Sequence, residues 1–190
     1  MTKHIAITGG IGSGKSYVCS RLAVQGISVY DCDKAAKRLM ATSADIRQGL
    51  IGLVGPEAYI GDKLNKPKLA SFLLASEENK QAVNEVVHPA VAADFLASGC
   101  EWLESAILFE SGFHRRLHFN AVVCVTAPED VRVQRVMKRD GISRQQALEW
   151  IQRQLPQDEV RARSDFEIVN DGKANIEKQI ETIIKQIKGL

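Results

Sequence analysis

The chain of 190 residues is 45% hydrophobic and 25% charged, with a formal net charge of +2 at pH 7. That suits one sizeable α/β core, is short for two, and is too weakly basic for nucleic acid to be the main partner. Cys19, Cys32, Cys100 and Cys124 are scattered without Cys-x-x-Cys spacing, the four histidines complete no ligand pattern, and no apolar run is long enough to cross a bilayer; with no apolar signal segment after Met1, these features predict reduced structural thiols in a soluble, cytoplasmic protein with no membrane partner.

His4-Ile5-Ala6-Ile7-Thr8 is a short, apolar, β-branched run that predicts a buried strand, and Ser16 to Gln25 carries helical apolar spacing in Val18, Leu22 and Ala23. Between them lies Gly9-Gly10-Ile11-Gly12-Ser13-Gly14-Lys15-Ser16, a complete G-x-x-x-x-G-K-[ST] phosphate-binding loop at the strand-to-helix junction its mechanism requires. The glycines let backbone N–H groups curl around phosphate oxygens, the helix N-terminus adds partial positive charge, and Lys15 adds a mobile full charge. Ser16 is then placed to ligate Mg²⁺ beside a nucleoside triphosphate. A glycine-rich turn ending in Lys-Ser by chance would lack the strand before and the helix after.

Ile27-Ser28-Val29-Tyr30 predicts a second strand, ending in Asp31-Cys32-Asp33, followed by a helix through Ala36, Leu39 and Met40. From Thr42 to Gly99 no buried strand is convincing: Ile46 to Val54 is helix-like, Pro56 to Asn65 turn-rich, and Lys68 to Leu96 mostly helical, interrupted at His88-Pro89. Next, Trp102 to Phe109 carries the apolar run Ala106-Ile107-Leu108-Phe109 ending at Glu110, and Ala121-Val122-Val123-Cys124-Val125 is the most strand-like segment; both predict central parallel strands. A helix from Pro128 to about Arg139, another from Arg144 capped by Ser143 and ending before Pro156, a strand at Phe166 to Val169 and an amphipathic helix from Asn175 to Lys188 complete the pattern. Strands alternating with helices predict a three-layer α/β fold, a five-stranded parallel sheet flanked by helices.

Ligands bind beyond the carboxyl ends of such strands, where the chain carries the loop, Asp31, Asp33 and Glu110. A kinase acting on an alcohol needs a carboxylate to orient the hydroxyl and accept its proton. One of Asp31 and Asp33 is expected to cap the following helix and the other to act, with Asp33 favoured; Asp31 is the competitor, or a water-mediated Mg²⁺ contact. Glu110 after an apolar strand has the form of a Walker B segment, serving Mg²⁺ or substrate, or merely ending a buried strand. Arg132, Arg135 and Arg139 share one helix face, with Asp140-Gly141 as a hinge, so that arginines can close over a transferring phosphoryl. The solvated-face reading is taken for Arg132 and Arg144, the functional one for Arg135 and Arg139. The chemistry of a lone His88 assigns it no role.

Together these residues resemble the dephospho-coenzyme A kinase family along nearly the whole chain: Ile7 to Ser16, Asp31-Cys32-Asp33, Asp62-Lys63-Leu64, His88-Pro89, Leu108-Phe109-Glu110, Lys138-Arg139-Asp140, Gln154, and Asp165 through Asn170. The resemblance implies the P-loop kinase fold, ATP with Mg²⁺ as donor, and dephospho-coenzyme A as the small-molecule acceptor, phosphorylated on its ribose 3′-hydroxyl. It implies Asp33 as the base, Lys15 and Arg139 on the transferring phosphoryl, and Gly12, Ser13, Gly14, Lys15, Ser16 and Tyr17 as the ATP loop, with Asn170 near the adenine. The acceptor falls to His88, Glu110, Arg135 and the insertion at about 34–99, and the lid to about 136–163, around a core of 1–33, 100–135 and 164–190. The chain departs from the family pattern at Tyr17, Lys66 and Ile107, where threonine, arginine and leucine are usual.

Two alternatives predict features the chain lacks. A shikimate-type kinase calls for a Gly-Gly pair after the third strand, where Glu110-Ser111-Gly112 stands. A GTP-binding switch calls for Asn-Lys-x-Asp and Asp-x-x-Gly; Asn65-Lys66-Pro67-Lys68 fails the first and the second is absent.

Overall fold

The computed structural model describes residues 3–189. They form two compact units: the chain up to Tyr30 together with the chain from Cys100 onward, and Asp31–Gly99 between.

In the first unit Ile5–Thr8 (β1) is buried on both faces, as an apolar β-branched run at the centre of a parallel sheet must be. It pairs in parallel with Trp102–Glu104 (β5) and with Ala121–Thr126 (β6), which pairs in turn with Phe166–Val169 (β7). With Val29–Asp31 (β2) the sheet order is β2-β5-β1-β6-β7. Lys15–Val24 (α1) follows β1, and Glu129–Asp140 (α6), Arg144–Gln152 (α7) and the unanticipated short helix Gln157–Ala162 (α8) lie between β6 and β7. Ile176–Gly189 (α9) closes the chain with one buried stripe, Ile176, Ile180, Ile183 and Ile187, packed on the sheet with Ile5, Val123, Val125 and Ile168. Each such side chain taken from water is worth roughly 1.5–3 kcal/mol, which is why a helix with an otherwise charged face stays docked.

The strand expected to run from Trp102 to Phe109 ends at Glu104, and Ala106 to Glu110 is a turn. The cause lies in its neighbour. Glu104 pairs with Ile7 and the Ser105 N–H donates to the Ile7 carbonyl, and one residue later β1 gives way to the phosphate loop, leaving no ladder to extend. Leu108 and Phe109 are buried from the turn instead, while Ile107 is exposed.

The second unit holds Cys32–Thr42 (α2), Ala44–Val54 (α3), a two-residue hairpin of Tyr59–Ile60 (β3) and Lys63–Leu64 (β4), Lys66–Ala75 (α4) and Glu77–Ser98 (α5). Ser43, Asn65 and Ser76 cap α3, α4 and α5 with their side chains. Contrary to the expected interruption at His88-Pro89, α5 runs through Pro89 unbroken. Proline inside a helix costs about 3 kcal/mol, but Val83, Val87, Val91 and Phe95 lie four residues apart on either side of it and are all buried. The packing of α2, α3 and α4 against α5 holds the two halves in line.

Candidate active site

The loop enters α1 through Gly14, which acts as its N-cap in the left-handed conformation (φ 92°), and no acidic residue stands in the first turn. An anion therefore meets bare N–H groups and the positive end of the helix. Gly12 (φ +79°) and Gly14 have no room for a side chain: a Cβ would fall 2.6 Å from the Arg132 carbonyl oxygen at the first and 2.1 Å from the Asn170 amide nitrogen at the second. Lys15 folds back on the loop, its Nζ donating to the Gly9 carbonyl at 2.6 Å and to that of Gly10 at 3.4 Å. Ser16 and Tyr17 are exposed in the first turn of α1.

The loop's carbonyls are turned outward and held by side chains from far along the chain. Arg135 Nη1 donates to Gly12 and Ser13 at 3.3 and 3.2 Å, and the Asn170 amide donates to Ser13 at 2.9 Å. Asn170 also accepts from Arg135 Nη2 at 3.3 Å, so this buried amide joins the loop at one end to α6 at the other. It forms a wall of an open cleft of about 440 Å³ with Gly14, Tyr17, Arg135, Gly172 and Ala174. Arg132 is not on a solvated face. It is 5% exposed, and its Nε donates to the Ile11 carbonyl at 2.9 Å; burial pushes its pKa down, with Glu129 pulling the other way. The signal was in the spacing: Arg132 precedes Val136 by four residues and shares its buried stripe. Gln154 Oε1 accepts from the Ile11 N–H at 2.6 Å, a role nothing in its sequence neighbourhood announces.

The carboxylates sort themselves by their partners. Asp31 is the cap: its Oδ1 accepts from the Lys34 N–H at 2.9 Å and its Oδ2 pairs with Lys34 Nζ at 3.0 Å. Partial burial pushes its carboxyl up, but the Lys34 hydrogen bonds and charge outweigh that and hold it below its ordinary value. Asp33 is exposed in the first turn of α2. Glu104, at the end of β5, is the carboxylate the shortened strand delivers to the loop, 3.9 Å from Lys15 Nζ. Glu110 sits on the turn and accepts from the Leu155 N–H at 3.3 Å, tying the turn to the segment after α7.

Arg139 is exposed and paired with its neighbour Asp140 at 2.7 Å, and Arg144 is exposed at the start of α7. His88 lies half-buried on α5 in the second unit. Cys124, inside β6, is inert: burial first, and then the Glu167 charge, push its thiol up to about 12. Among the described residues no cluster of three or more His, Cys, Asp or Glu could hold a metal ion.

A family model described as dephospho-CoA kinase matches residues 3–175. A dephospho-CoA kinase of Bacteroides fragilis is 40% identical over 195 residues, covering 97% of this chain and 92% of its own. A crystal structure from Thermus thermophilus superposes with a TM-score of 0.82 at 33% identity, covering 97% of this chain and 96% of that one. A dephospho-CoA kinase structure from Campylobacter jejuni, at 21% identity and TM-score 0.67 over 100% and 99% of the two chains, shares the fold.

Proposed function

Because the chain belongs to the dephospho-CoA kinase family, we propose that it transfers the γ-phosphoryl group of ATP to the ribose 3′-hydroxyl of dephospho-coenzyme A, the step that completes coenzyme A. The observation that carries this reading is the braced loop, its carbonyls held by Arg132, Arg135 and Asn170 and Lys15 folded back on it. On ATP binding, Lys15 exchanges the Gly9 carbonyl for the phosphate oxygens, and Tyr17 and Arg135 flank the base in the cleft they line. Mg²⁺ suits the hard oxygens present: Ser16 would hold it, with Glu104 reaching it through water, and when bound the ion would offset charge on the triphosphate.

Asp33 takes the proton of the acceptor hydroxyl as the phosphoryl group transfers in line, a role open to it because Asp31 is committed to Lys34. The segment at about 136–163 is the lid, on which Arg139 leaves Asp140 and closes over the transition state while water is excluded. The helical insertion at about 34–99, including His88, takes the acceptor, and Glu110 steadies the lid's far end through Leu155. The reaction belongs in the cytoplasm. The test is ADP release in a coupled assay: it should rise on adding dephospho-coenzyme A to enzyme, ATP and Mg²⁺. Release that ignores the acceptor would overturn the assignment.

A further inference from the structure

Both polar groups of Ile11, at the outer bend of the loop, are taken by side chains from elsewhere: its N–H by Gln154 and its carbonyl by Arg132. The arrangement is costly. Arg132 is 5% exposed, and its Nη2 is buried without a hydrogen-bond partner. A buried guanidinium with an unused donor lowers stability relative to an apolar side chain of the same volume. That nitrogen packs on Gly10, where a Cβ would lie 2.3 Å from it and 3.3 Å from Gln154 Oε1, so arginine and glutamine converge on one peptide of the loop.

We propose that Arg132 and Gln154 are positioning residues for the donor nucleotide, clamping Ile11 so that the loop keeps the bend that receives the triphosphate. Gln154 lies just beyond Arg153, the C-cap of α7, so the clamp also makes the bend of the loop depend on where that helix is seated. The inference rests on the loop being the ATP site. It adds that ATP affinity is set from behind the loop by two groups that do not touch the nucleotide.

The test is titration with a fluorescent mant-ATP, alongside thermal melting and KM values for both substrates. Arg132→Met and Gln154→Leu should each weaken mant-ATP binding and raise KM for ATP about tenfold, the scale of one lost hydrogen bond. KM for dephospho-coenzyme A should stay put, and the melting temperature should stay within a few degrees of the parent. Gln154→Glu keeps an acceptor oxygen facing Ile11 and should bind mant-ATP within about threefold of the parent. Unchanged nucleotide affinity in Gln154→Leu, or an equal loss in Gln154→Glu, would overturn the clamp, and both variants remain informative if Arg132→Met fails to fold. A parent that binds mant-ATP yet does not phosphorylate dephospho-coenzyme A would sink the assigned reaction and leave the clamp standing.

Discussion

Gly12→Ala tests the claim that helix α6 and the phosphate loop are built as one piece. The new Cβ would lie 2.6, 3.0 and 3.1 Å from the carbonyl oxygen, Cα and carbonyl carbon of Arg132, all backbone atoms that no rotamer change can move aside. Left-handed strain at a φ of +79° adds about 1–2 kcal/mol for alanine. If α6 withdraws, the long Arg135 contacts to Gly12 and Ser13 and the Arg132 contact to Ile11 go with it, at about 1 kcal/mol each. Stiffening of the unfolded chain returns about 0.4–1 kcal/mol. The net loss is roughly 3–5 kcal/mol, and at about 2–4 °C per kcal/mol for a domain of this size the melting temperature should fall by roughly 10 °C. Gly52→Ala, in α3 with nothing within 4 Å, is the control; helix propensity predicts no loss there and a gain of up to about 1 kcal/mol. Calorimetry decides between the two. A Gly12→Ala melting temperature within a degree or two of the parent would refute the rigid coupling of loop to helix.

Asp33→Asn should lower turnover by roughly two to four orders of magnitude while mant-ATP affinity is kept; near-normal turnover would return Asp33 to an ordinary place on a solvated helix. Arg139→Lys should slow turnover with KM for ATP little changed, since lysine keeps the charge and loses the fork; equal steady-state constants would leave Arg139 to its pair with Asp140. Asp31→Ala should cost about 1 kcal/mol at pH 7 as a lost cap. Because the Asp31 carboxyl is held below its ordinary 3.8 in the folded chain, its contribution is present above that value and is lost as pH falls through the folded pKa. Urea unfolding of parent and variant should therefore differ at pH 7 and draw together as the pH is taken down into the acid range below 3.8, whereas a difference that does not depend on pH would contradict the cap.

The parts of the site that are written locally were legible in the chain. The loop, its strand and its helix occupy twenty consecutive residues, 5–24, and need only glycine sterics and apolar period to be recognised. The isoleucine stripe of α9 is a one-dimensional pattern of the same kind. What failed depended on a neighbour distant in sequence. The end of β5 is set by where β1 stops, not by the apolar run that continues to Phe109. Arg132 belongs to a face that is charged in composition but rests on the back of the loop, so its charge concealed its burial. The hydrogen bonds of Asn170 to Ser13 and Arg135 were not legible either, and Gln154 could be matched by family but not assigned a partner. Pro89 read as a break, but the stripe that spans it, Val83 to Phe95, carries the helix across once it is buried against other helices.

The most direct measurement offers the enzyme ATP and Mg²⁺ with dephospho-coenzyme A, shikimate and adenosine in separate reactions, followed by mass and phosphorus NMR analysis of the products. The proposed function requires a gain of one phosphate on dephospho-coenzyme A alone, attached at the ribose 3′-oxygen. Phosphate on shikimate or adenosine instead, or on another oxygen of dephospho-coenzyme A, would contradict it.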